Sequence, residues 1–101
     1  MMVELSILPI GKDVHLGKYV AEAVKIVHDS GIEYRLTPMG TLLIGDWESV
    51  MNVVRACHEA VRQRCDRVVT KIKIDDLKGE EKLPEEKVQS VERLLNFSVK
   101  K

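Results

Sequence analysis

Aromatic side chains are scarce: one tryptophan, two tyrosines and one phenylalanine among 101 residues. A base-stacking platform for single-stranded nucleic acid needs such rings on exposed strands, so that function loses its physical basis. Surplus charge is lacking as well, because 16 Lys plus Arg balance 16 Asp plus Glu. Non-specific polyanion binding draws its affinity from counterion release by excess basic groups, and no excess exists. A bilayer span takes about 20 consecutive apolar residues, far more than any apolar run in this chain. The opening residues carry Glu4, Ser6 and Pro9 without a basic segment leading into an apolar one, so no secretory signal is expected. The only two cysteines, Cys57 and Cys65, stand eight positions apart on a predicted helix. A rigid helix keeps such a pair roughly 12 Å apart, beyond disulfide reach, so both are expected as free thiols in a cytoplasmic protein.

Catalytic signatures are missing too. No G-x-S-x-G, H-E-x-x-H, P-loop or C-x-x-C occurs, and His15, His28 and His58 form no i, i+4 pair. An acid–base role for Asp75 or His15 finds no partner for either group in the sequence. The expectation is a protein with no chemistry of its own, no cofactor and no metal, and with neither nucleic acid nor membrane as partner.

What is present is a regular succession of amphipathic segments. Val3, Leu5, Ile7 and Pro9 alternate with Glu4, Ser6 and Leu8, which predicts a strand over residues 3–10. Leu16, Val20, Ala23, Val24 and Val27 recur at helical spacing, and Gly31 is a natural helix stop. Short strands follow at 33–37 and 41–44, separated by Pro38-Met39-Gly40. Asp46 is placed to cap a second helix whose apolar face holds Trp47, Val50, Met51, Val54, Cys57 and Val61. A strand over 67–74 completes the set. The order βαββαβ, with right-handed crossovers, predicts an α+β ferredoxin-like plait: a four-stranded antiparallel sheet with two helices on one face. Residues 1–101 read as one such domain. Pro84 opens an extra C-terminal helix, expected over 84–97, with Val88, Val91, Leu94 and Leu95 as its apolar stripe.

Two helices cover only one face of a sheet. Alternation puts Glu4, Ser6, Leu8, Val69, Lys71 and Lys73 on the other, and self-association through that face or a strand edge is the expected use. Beyond this, the residues leave two loop regions of interest, 11–19 and 37–41. Spacing alone makes the second an ordinary Pro-x-Gly turn and Tyr19 a packing residue.

Tyr19-Val20-Ala21, Thr37-Pro38-Met39-Gly40-Thr41 and Lys71-Ile72-Lys73-Ile74-Asp75 together resemble the small thiamine-binding family of ferredoxin-like proteins, over about residues 4–76. The T-P-M-G-T run between two strands is the most specific of the three. The resemblance implies non-enzymatic binding of thiamine or its hydroxymethyl-pyrimidine moiety by a homo-oligomer, a tetramer built from dimers whose sheets join. It implies a pocket of His15, Gly17 and Tyr19 from the first loop and helix, and Thr37, Met39, Thr41 and Ile44 from the hairpin. In that pocket Tyr19 would give a ring face and a hydroxyl, Thr37 and Thr41 hydrogen bonds, and Met39 an apolar wall. His15 and Gly17 stand where the family commonly carries serine, and Ile44 where it commonly carries glutamate. The expectation from these departures is an altered or weakened ligand preference, or a self-association module whose ligand site has degenerated.

Overall fold

The structure, a computed structural model, describes residues 1–11 and 16–101. The elements run β1 (Met2–Ile10), α1 (Gly17–Ser30), β2 (Glu33–Thr37), β3 (Gly40–Ile44), α2 (Trp47–Arg62), β4 (Arg67–Asp75) and α3 (Pro84–Leu95). The sheet is antiparallel with strand order β2-β3-β1-β4. This is the ferredoxin-like plait with an extra C-terminal helix.

Local chemistry sets the element ends. α1 stops at Gly31, whose φ of 79° costs a glycine nothing and lets its N–H reach the His28 carbonyl at 3.2 Å. α2 starts at Asp46, whose carboxylate accepts from the Ser49 N–H at 2.8 Å. That contact, together with the freed N–H groups beside it, holds the Asp46 pKa below its ordinary value. α2 closes at Arg62, so Cys65 sits just past the helix and not on it. α3 ends at Leu95, two residues short of the expected end, because Asn96 takes the left-handed conformation at φ 62°.

The register assigns every strand residue to a face. Val3, Leu5, Tyr34, Leu36, Thr41, Leu43, Ile72 and Ile74 share the helix side, while Glu4, Ser6, Leu8, Val69, Lys71 and Lys73 share the open side. The core lies between sheet and helices: Val3, Leu5, Leu43, Val27, Val50, Val53, Val54 and Cys57. A smaller cluster of Tyr19, Val61 and Cys65 closes the end near the β1–α1 loop.

α3 does not join this core. It has no buried residue, and its Val91, Leu94 and Leu95 are exposed, Leu94 to 86%. Its moorings are polar: Arg35 of β2 pairs with Glu85 at 2.5 Å, and Lys87 pairs with Asp75 at the end of β4. The molecule measures 47 × 30 × 20 Å, with a radius of gyration of 15.1 Å against about 13 Å for a compact chain of this length.

Candidate functional site: a notch in the sheet

Strand lengths create the site. β1 and β4 pair over nine residues, but β3 meets β1 only from Met2 opposite Ile44 to Leu5 opposite Thr41. Beyond Leu5 the β3 side of β1 has no neighbouring strand among the described residues, and the sheet is stepped. The Gly45 N–H donates to the Met1 carbonyl at 3.1 Å, so Met1 points its backbone groups toward β3. Hydrogen-bonding direction alternates along an antiparallel strand, which makes Val3, Leu5, Ile7 and Pro9 the residues facing that way. Ile7 therefore turns one N–H and one C=O into the step without a β3 partner. Pro9, having no N–H, sits where no ladder donor is required.

The step forms a notch of about 280 Å³ that passes from the helix side to the open side of the sheet. On the helix side it is lined by Leu16, Tyr19, Val20, Ala23, Val24 and Val27; Ser6, Leu8, Val69 and Lys71 line the open side; the β2–β3 hairpin from Leu36 to Thr41 forms the floor. The volume lies just below the ~300–1,000 Å³ usual for drug-sized ligands, which fits a single small heterocycle.

The hairpin is built around Thr37. Its hydroxyl donates to the Gly40 carbonyl at 2.8 Å and accepts from the N–H groups of Met39 at 3.2 Å and Gly40 at 3.1 Å. Neither Pro38 nor Met39 has a positive φ, so this two-residue loop is not one of the primed turns that suit hairpins best. The Thr37 hydroxyl holds it instead. Gly40 is required for closeness: a Cβ there would lie 2.9 Å from the Leu5 carbonyl oxygen.

Four of the residues implied by the resemblance, Tyr19, Thr37, Met39 and Thr41, come together at this notch. Their resources differ. The Thr37 hydroxyl is consumed by the turn, whereas Thr41 is 8% exposed and its hydroxyl has no hydrogen-bond partner among the described residues. Tyr19 is 7% exposed, its ring packed with Val61 and Cys65, so only an edge of it reaches the notch. Met39 is 83% exposed at the hairpin tip. Gly17 lies outside the notch, on a shallow apolar surface with Val20, Val24, His28, Tyr34 and Leu36. Ile44 is buried at the far end of β3, away from the notch. His15 lies outside the described residues.

The sequence reading missed Ile7, Ser6 and Lys71 as lining groups. The backbone contribution of Ile7 depends on where β3 stops, which no side-chain pattern encodes. Ser6 and Lys71, opposite one another in register, were legible as open-face residues but not as neighbours of the hairpin.

Other reactive groups lie elsewhere. Cys57 is fully buried, its thiol pushed up to about 11 by burial and donating to the Ala23 carbonyl at 3.4 Å. Asp75 is held below the ordinary carboxylate range by its hydrogen bond and ion pair with Lys87, and does not line the notch. His58 meets the Thr70 hydroxyl at 2.6 Å, and His28 meets the Tyr34 hydroxyl at 2.8 Å. No three His, Cys, Asp or Glu side chains cluster as a metal site among the described residues. None of the described helices is long and apolar enough to cross a membrane.

Fold and notch together define a ferredoxin-like protein with a small, mostly apolar ligand-sized opening and few convergent polar groups. Residues 3–92 match the family described as thiamine-binding protein, and the chain belongs to that family. A UPF0045 protein of Methanothermobacter thermautotrophicus is 41% identical over 91 residues, spanning 87% of this chain and 92% of its own. The crystal structure of hypothetical protein MJ1052 from Methanocaldococcus jannaschii superposes with a TM-score of 0.82 at 32% identity, covering 89% of this chain and 93% of that one. A Thermotoga maritima protein proposed to act in thiamine biosynthesis or salvage gives a TM-score of 0.77 at 26% identity, covering 89% of this chain and 96% of its own.

Proposed function

We propose that this protein binds thiamine or a related hydroxymethyl-pyrimidine in the sheet notch, and carries out no reaction on it. The observation that carries this reading is that the notch brings together the Ile7 N–H and C=O, which have no β3 partner, and the Thr41 hydroxyl, which has no partner among the described residues. An aminopyrimidine edge presents a ring-nitrogen acceptor beside an exocyclic amine donor. One backbone N–H and one C=O from the same residue complement that edge, as the missing strand would have done. Apolar walls from Leu5, Ile7, Val20 and Val24 suit the ring faces. Thr41 supplies one further hydrogen bond and Met39 an adaptable cover. The family membership and the Thermotoga relative support the same ligand class.

The same reading has the protein act as a homo-oligomer, a tetramer by resemblance, in a reducing cytoplasm that keeps Cys57 and Cys65 as thiols. The supporting observation is α3, an amphipathic helix that buries no residue and leaves Val91, Leu94 and Leu95 of its apolar stripe exposed. A thermal-shift screen with thiamine, its phosphates and hydroxymethyl-pyrimidine tests the ligand class. A specific ligand at 100 times its Kd adds about 2.7 kcal/mol, or a rise of roughly 10 °C in Tm for a chain this short. Unchanged melting across the whole set would leave self-association as the function.

A further inference from the structure

Among its described lining residues the notch holds no carboxylate and a single formal charge, the ammonium of Lys71. The first turn of α1, which borders the notch through Leu16 and Tyr19, has no acidic residue either. Lys71 lies on the open side of β4 directly opposite Ser6, and it makes no ion pair among the described residues. Glu4, on the same face, stands opposite Lys73 one pair further along and does not engage Lys71. From the described residues a cationic ligand entering this opening gains no counter-charge and meets a like charge at its rim. A ligand with an anionic arm gains a charge-assisted hydrogen bond there.

Geometry says where such an arm would emerge. A flat ring hydrogen-bonded edge-on to Ile7 lies near the plane of the sheet, with Thr41 on its helix side. Substituents leaving toward the open side meet Ser6 and Lys71, a hydroxyl and an ammonium side by side. We infer that Lys71 is a specificity residue that selects a phosphate ester of the pyrimidine over the free alcohol and over the thiazolium cation of thiamine. This rests on the ligand reading given above and narrows it to an anionic member of the class.

Isothermal titration calorimetry with hydroxymethyl-pyrimidine, its monophosphate, thiamine and inorganic phosphate tests the assignment on three proteins: the natural chain, Lys71→Gln and Lys73→Gln. Lys73 shares the strand face but lies outside the notch, so Lys73→Gln controls for the general field of β4. The monophosphate is expected to bind the natural chain at least about tenfold more tightly than the free alcohol, the scale of a hydrogen bond to a charged group. Lys71→Gln should erase that preference by weakening the ester far more than the alcohol, and Lys73→Gln should keep it. Inorganic phosphate should bind at least about tenfold more weakly than the ester. Equal affinity for ester and alcohol, a preference that survives Lys71→Gln, or phosphate binding as tight as the ester would each overturn the role of Lys71, while leaving the pyrimidine site standing. If no pyrimidine binds at all, the ligand reading itself falls and takes this assignment with it.

Discussion

Thr37 and Thr41 stand four residues apart in one hairpin and do opposite work. The hydroxyl of Thr37 satisfies three turn groups, so Thr37→Val should cost about 1–3 kcal/mol, read as a lower urea midpoint with unchanged m. Thr41 lines the notch and its hydroxyl makes no hydrogen bond among the described residues, where no buried side-chain oxygen is left orphaned, so it is available to a ligand. Thr41→Val keeps the shape and removes the oxygen; its Tm should stay close to that of the natural chain. Its ligand-induced Tm shift, by contrast, should shrink or vanish. Gly40→Ala should destabilise by about 1–3 kcal/mol, because the added methyl meets a backbone carbonyl that cannot rotate away. These three residues were legible as a motif but not as separate roles. The T-P-M-G-T pattern says that a hairpin is specified, while the division of labour depends on which hydroxyl the turn folds back upon.

At the scale of elements, the alternation in β1 and β4 located both sheet faces, because a period of two leaves no freedom once one side is buried. The step between β1 and the hairpin was not legible. Apolar alternation runs the full length of β1 and carries no mark of where a neighbouring strand ends. α3 was foreseen from Pro84 and its apolar stripe, though its end was not: Asn96 turns the chain at a position where only its backbone conformation decides. The segment after it is tied down by Glu92, which accepts from the Val99 N–H at 2.9 Å and the Lys101 ammonium at 2.8 Å. These contacts hold the Glu92 carboxyl at about 2, against an ordinary 4.5. A depressed folded-state value means the contribution is present above the ordinary value and is lost as pH falls through the folded one. The tail should therefore stay docked at pH 5 and above and detach as pH drops from about 4.5 to 2. Amide exchange at Val99 should accelerate across that window relative to amides in β1, once the intrinsic pH dependence is divided out. Protection unchanged down to pH 2 would remove Glu92 as the anchor.

For the molecule as a whole, the balanced composition that excluded polyanion partners says nothing about small ligands, whose recognition turns on one or two local charges. The plait leaves one sheet face and much of an amphipathic helix uncovered, and the ion pairs that moor α3 are exposed, each of small worth. On the proposed self-association, a second chain would cover that stripe and account for the apolar Val91 and Leu94. Val91→Glu with Leu94→Glu should reduce the mass measured by light scattering while the monomer keeps its sheet and its circular dichroism. Ligand binding in the notch is decided by calorimetric titration of hydroxymethyl-pyrimidine into the natural chain and Thr41→Val. Saturable binding of one ligand per chain is expected, weakened about tenfold by Thr41→Val at nearly unchanged Tm. Equal affinity for both proteins, or no heat of binding to either, would contradict it.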